Sequence, residues 1–285
     1  MSESRLAVRK TYKLFIGGAM PRSESGRTVV VNDARGRFVA NAARASRKDV
    51  RDAVVAARGA FAGWAGRTPY NRGQILYRVA EMLEGRHGQF ADELRAAGAG
   101  KAAASAEVSA AIDRWVWYAG WADKLTAVAG SANPVSGPFF NFSTPEPTGV
   151  VGLVAPDSPL LGLVSVIAPA IVTGNTCVVV ASEPAPLPAV TLAEVLATSD
   201  LPGGVVNVLT GHRGELAPWL ASHMDVNAVD LAGVPGDDVR DLEEAAVANL
   251  KRVLRPAPTD WTAEPGTVRM TAFLETKTVW HPVGV

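Results

Sequence analysis

With 285 residues, 48% hydrophobic and 20% charged, the chain has a globular composition, with apolar side chain enough for one large core or two modest ones. Its 28 basic and 28 acidic residues cancel, so charge points to no nucleic-acid or anionic-membrane partner. The single cysteine, Cys177, excludes an internal disulfide and fits a reducing, cytoplasmic setting.

Arg5, Arg9 and Lys10 are not followed by an apolar run with a small-residue cleavage site, so no secretory signal is expected. Strand-like pieces at 14–16, 28–31 and 38–40 are separated by Gly and Ser turns. Ser46 and Asp49 form a capping-box start for an Ala-rich helix reaching Trp64. A second helix over 71–85 carries Ile75, Leu76, Val79 and Leu83 at helical spacing. A third, over 107–125, carries Trp115, Trp117, Tyr118 and Trp121, whose recurrence suits core or interface packing.

Residues 133–148 are Pro-rich and bear Phe139, Phe140 and Phe142. From 149 to 182 Asp157 is the only charge, but Pro156, Pro159, Pro169, Gly174 and Asn175 cut the run into pieces too short for a membrane span of ~20 apolar residues. From 149 to 255 strands (150–155, 177–181, 205–209, 228–231, 250–254) alternate with helices (160–172, 188–197, 214–222, 237–248). Continuous apolar strands between helices predict an α/β fold: a Rossmann-like, five-stranded parallel sheet with helices on both faces. Its ligands would sit beyond the carboxyl ends of the strands. A Pro-rich linker begins at Pro256, and a β-branched strand over 276–280 has no neighbouring hairpin partner, which suggests pairing with something distant or with another chain.

In order along the chain stand LFIGG from Leu14, YAGWADK from Tyr118, GPFFNFSTPEPTGVVG at Gly137–Gly152, APAIVTGNT from Ala168, LPGGVVNVLTG from Leu201, NLKRV from Asn249 and FLETKTVW at Phe273–Trp280. With these ordered motifs the sequence resembles the aldehyde dehydrogenase superfamily. The resemblance implies a strand and helix region over 1–132, an oligomerisation hairpin over 133–148, a nucleotide-binding-type domain over 149–255, and a linker and C-terminal oligomerisation strand over 256–285. In that family a glutamate, a Gly-Gly pair and a catalytic domain follow NLKRV. Here Leu254, Arg255, Pro256 and Ala257 follow, and the space from Pro256 to Met270 cannot hold a domain.

The resemblance implies aldehyde oxidation by a thiolate, oxyanion donors, a hydride acceptor and a base. The nucleophile position has no counterpart, and Cys177, opening an apolar strand, reads as a structural thiol. The base position falls on Pro256, and the oxyanion asparagine turn is replaced by Pro156-Asp157-Ser158-Pro159, which brings in an acid. No catalytic residue is therefore assigned, and oxidation of an aldehyde by this chain alone is not expected. For a cofactor, Glu183 keeps the carboxylate that would accept ribose hydroxyls, beside Ser182; an ordinary surface acid is an equal reading. The family's lysine is Val180, and its Gly-Ser-Thr phosphate turn is Gly233-Val234-Pro235, followed by Asp237 and Asp238. Losing two or three contacts of ~1–3 kcal/mol each would weaken NAD by about a hundredfold or more, so weak NAD binding or none is expected. Histidines 87, 212, 223 and 281 lack metal-ligand spacing, and no metal site is expected.

What the resemblance leaves is the assembly arm: Phe139, Phe140 and Phe142 as apolar anchors, with Thr276, Thr278 and Trp280 alternating with Lys277 and Val279 in a pairable strand. The expected function is a non-catalytic subunit that associates with a full-length aldehyde dehydrogenase or with itself. The alternatives are an oxidoreductase subunit presenting NAD to a site completed by another chain, a nucleotide-responsive binding module, and a folded relic without a role.

Overall fold

Ser46 opens the first long helix as the sequence requires. Its hydroxyl accepts from the Lys48 and Asp49 amides while the Asp49 carboxylate accepts the Ser46 N–H, satisfying orphan donors from both sides. The computed structural model describes residues 10–284; Arg5 and Arg9 lie outside the described residues. In chain order the elements are β1 (Thr28–Asn32), β2 (Phe38–Ala43), α1 (Arg47–Ala65), α2 (Pro69–Glu84), α3 (His87–Ala96), α4 (Lys101–Ala119), α5 (Leu125–Ala129), β3 (Ser131–Asn133) and β4 (Phe139–Pro147). Then come β5 (Val150–Val154), α6 (Leu161–Val172), β6 (Thr176–Val180), α7 (Leu187–Ala197), β7 (Val206–Leu209), α8 (Arg213–Ser222), β8 (Ala228–Asp230), α9 (Val239–Ala246), β9 (Arg252–Leu254), α10 (Val268–Thr271) and β10 (Leu274–Pro282).

The central sheet is parallel, five-stranded and ordered β7-β6-β5-β8-β9. Strands β5 and β6 are buried at every residue, the signature of a sheet covered on both faces. One core lies between the sheet and α2, α4, α6 and α7, and includes Trp64, Phe90, Trp115 and Tyr118; a second joins α1, α8 and α9 to the opposite face. The aromatics Trp115 and Tyr118 are thus core, as their spacing suggested, while Trp117 and Trp121 pack partly buried against the same core.

Several boundaries differ from the sequence reading. The helix expected over 107–125 begins at Lys101 and stops at Ala119, and α3 was not foreseen. Of residues 14–16, Phe15 and Ile16 form isolated bridges, Phe15 exchanging both backbone hydrogen bonds with Val208 and so closing the β7 edge. Strand β9 starts at Arg252 because Leu250 turns into the left-handed region (φ 56°) and is exposed.

The C-terminal strand is not left alone. It pairs antiparallel with β4 from Leu274↔Pro147 to Pro282↔Phe139, and β3 forms a hairpin with β4, giving a three-stranded arm ordered β10-β4-β3. Pro145 and Pro147 are tolerated in its middle strand because β3 pairs only with residues 141–143, leaving that stretch of β4 free on one side.

Candidate functional site

The carboxyl ends of β5, β6, β7 and β8 converge on one mouth, where ligands of parallel sheets bind. Ser182, Glu183, Asp157, Ser158, His212 and Gly233 lie on the loops leaving those strand ends, and Arg213 opens α8 beside them. The structure thus brings together the cofactor residues expected from the sequence. It also commits them to one another.

Glu183 accepts from His212 Nδ1 at 2.6 Å and from the backbone N–H of Arg213 at 2.9 Å. Partial burial pushes this carboxyl up, but the His212 and Arg213 contacts outweigh it and hold it below the ordinary glutamate range. The residue therefore caps the N-terminus of α8 in trans. Ser182 is buried and its hydroxyl meets no partner among the described residues. Gly233 has to be glycine for a local reason: a Cβ there would run into the Ala155 carbonyl. Its N–H donates to Val154 O at 2.9 Å, and the Val234 N–H donates to Leu231 O. The turn that would hold a phosphate has these amides already spent.

The N-terminus of α6 is occupied in the same manner. Glu107, on α4, accepts the Leu160 and Leu161 amides at 3.2 and 3.1 Å, and Ser158 Oγ accepts the Gly162 amide at 3.0 Å. The starts of α6 and α8 thus carry the chain's own carboxylates, where an anionic ligand would otherwise sit. Across the mouth, Arg213 donates to Asp157 at 2.6 Å and to the Gly233 carbonyl, tying the loop after β5 to the loop after β8. Glu107 and Arg213 were not singled out in the sequence; no local pattern marks a cap delivered from a helix about fifty residues away.

Next to this lattice, a cleft of about 420 Å³ opens between α8 and α9, walled by Ala217, Pro218, Val234 and Leu242, with Glu183 and Arg213 at its rim. Its size and apolar walls suit a flat ring. Val180 is fully buried and offers no donor, Pro235 has no N–H, and Asp238 and Asp241 add negative charge to the cleft.

The segment between β9 and β10 is built into the fold. Beyond β9, Trp261 and Ala263 offer their carbonyls to Arg114, which also donates to Ser165 at 2.7 Å. Arg269 pairs with Asp230, which is fully buried, and stacks over the Trp261 ring at 5.1 Å. Met270 and Phe273 are fully buried. Pro256 sits at the start of this strap.

Cys177 is fully buried and desolvation drives its thiol far up. His87 lies near Ser109, His212 is bound to Glu183, His223 accepts the Asp225 amide, and His281 is on the exposed arm. Among the described residues no cluster of metal-binding side chains occurs, and no helix is long and apolar enough to cross a membrane.

The arm brings its expected residues together as well. Phe139 and Trp280 meet edge to face at 5.8 Å, Phe140 and Phe142 stack at 5.5 Å, Ser143 and Thr278 share a hydrogen bond of 2.8 Å, and Lys277 pairs with Glu146 at 3.0 Å. Phe139, Phe140 and Trp280 remain exposed while Phe142 and Val279, opposite one another in register, are half-buried.

Residues 20–255 match the model of the aldehyde dehydrogenase family. The chain is 36% identical over 249 residues to aldehyde dehydrogenase, cytosolic 1, of Elephantulus edwardii, covering 85% of this chain and 49% of that protein. It is 34% identical over 252 residues to human retinal dehydrogenase 2, covering 86% and 48%. The crystal structure of PnpE from Pseudomonas sp. WBC-3 superimposes with a TM-score of 0.82 at 30% identity, over 86% of this chain and 50% of that one. The chain therefore spans about half the length of the relatives it matches. The fold, the ordered motifs and these matches agree: the chain belongs to the aldehyde dehydrogenase family.

Proposed function

We propose that this chain is a non-catalytic member of the family, a pseudoenzyme that docks through its three-stranded arm on a full-length aldehyde dehydrogenase and stabilises or regulates it. One observation carries the reading: the stretch between β9 and β10 is a short strap with buried anchors, leaving no room there for a catalytic domain, while the arm beyond it is retained. The outer edge of β10 has no strand beyond it among the described residues, and β10 is mostly exposed. Such an edge adds readily to a partner's sheet, with Phe140 and Trp280 as anchors.

The test is co-expression with a full-length aldehyde dehydrogenase from the same cell, followed by sizing of the purified complex. Phe140→Glu with Trp280→Glu should abolish co-elution without lowering the melting temperature, since both side chains are exposed. Co-elution that survives the pair of changes counts against the arm. Deleting 273–285 is a poorer test because Phe273 is part of the core.

The cleft between α8 and α9 favours a second reading, a nucleotide-responsive module. Its apolar walls and the Glu183 rim suit an adenosine moiety better than a whole dinucleotide. Calorimetry with adenosine, AMP and NAD separates the two: binding of adenosine that alters association with the partner supports the module, and heats no larger than dilution for all three exclude it. The reading in which this chain presents NAD to another chain's site is disfavoured by the internally capped α6 and α8 and by the strap.

A further inference from the structure

A second cleft, of about 390 Å³, lies on a different face, between residues 10–13, the turn at 22–28 and β2. Among the described residues four cations line it, Lys10, Lys13, Arg22 and Arg27, and no carboxylate does. In a chain of zero net charge this is a local concentration, not a reflection of composition.

The neighbouring acids are already paired, one of them with Lys10 itself. Glu194 holds Lys10 at 2.7 Å and Arg86 at 2.5 Å; Glu24 pairs with Lys48; the buried Asp49 is taken by Ser23 and by the backbone of Glu24 and Ser46. Tyr12 turns its hydroxyl away to Glu93 at 3.0 Å. Lys13, Arg22 and Arg27 are left without an ion pair or a side-chain hydrogen bond among the described residues, whereas most other described lysines and arginines have one. Lys13 is half-buried, and Arg22 and Arg27 are exposed. Holding three unpaired cations round one concavity costs mutual repulsion, which a bound anion would relieve.

We infer that this cleft is a binding site for a small, multiply charged phosphate ligand, held by Lys13, Arg22 and Arg27. Two guanidinium groups and an ammonium suit a ligand with several oxygens on adjacent phosphorus atoms, since each guanidinium can grip two oxygens. The volume suits a metabolite-sized ligand, and the cations close round one concavity instead of tracking along a surface as they do for a nucleic-acid backbone. The site is separate from the mouth of the parallel sheet and does not depend on the arm.

The test is calorimetry of the full chain with inorganic pyrophosphate at low and moderate salt, with phosphorus NMR line-broadening as a second readout. Saturable binding with one site per chain is expected at pyrophosphate concentrations below about 1 mM, weakening with salt. Arg22→Gln with Arg27→Gln should weaken it by about tenfold or more at an unchanged circular-dichroism melt, and Lys13→Met should do so more modestly. Arg213→Gln, at the other site, should leave it unchanged. Absence of saturation, equal binding by the Arg22/Arg27 double variant, or displacement of pyrophosphate by a single-stranded oligonucleotide that binds more tightly would each overturn the assignment.

Discussion

Arg213 reaches across the mouth of the parallel sheet to Asp157 at 2.6 Å, and the same guanidinium donates to the carbonyl of Gly233. The loops after β5, β7 and β8 are thereby joined at the place where open α/β sheets accept ligands. With its side chain only 16% exposed, Arg213 acts as a crosslink within the fold. Asp157, at 63%, contributes through geometry more than through Coulomb energy, which solvent screens at that exposure.

Arg213→Gln should therefore loosen the mouth. The loss at the Gly233 carbonyl costs about 1–3 kcal/mol for a charged hydrogen bond, and amide exchange at 156–160 and 232–235 should quicken. Binding of NAD should stay weak, because Glu107 still caps α6 and Glu183 still caps α8. Recovery of tight NAD binding in this single variant would show that Arg213 alone had closed the site.

The Glu183 contacts set an acid limit. Its carboxyl is held below the ordinary range in the folded chain, so the charged form is favoured by folding. The associated stability is present above the unfolded glutamate value of about 4.3 and is lost as pH falls through the lower folded value. Glu183→Gln should be less stable than the parent at neutral pH, and the two melting curves should converge below about pH 4. A gap that persists unchanged into acid would assign the effect to packing.

The sheet was legible because its strands are continuous apolar runs and its helices begin within a few residues of the expected places. Glu183, Ser182 and Gly233 could be placed at one mouth because strand ends in a parallel sheet must converge. What could not be read was the use of those groups. Glu107 sits on another helix, and Arg213 follows an ordinary glycine turn, so neither position carries a local signal. Likewise β10 had no visible partner, since β4 lies more than a hundred residues earlier and its two prolines mask its strand character.

Asp230 and Arg269 pin the strap. Burial pushes the Asp230 carboxyl up, and Arg269 opposes that shift. Arg269→Met would leave an uncompensated buried charge and should cost about 3–5 kcal/mol. Asp230→Leu with Arg269→Met, which removes both charges, should cost far less. A urea double-mutant cycle measures the difference, and a negligible cost for Arg269→Met alone would mean that the strap is held mainly by Met270 and Phe273.

Cys177 offers the most direct check on chemistry. It is fully buried on β6, its thiol driven upward by desolvation, and it is the only cysteine of the sequence. Nucleophilic attack requires the thiolate, so Cys177 should resist a disulfide reagent at pH 8 in the native state and react at once in denaturant. The purified chain with an aldehyde and NAD should form no NADH, and Cys177→Ala should leave that result unchanged. Rapid native labelling would contradict the burial that places this thiol in the core. Aldehyde-dependent NADH formation that disappears in Cys177→Ala would assign to Cys177 the role that the proposed function denies it.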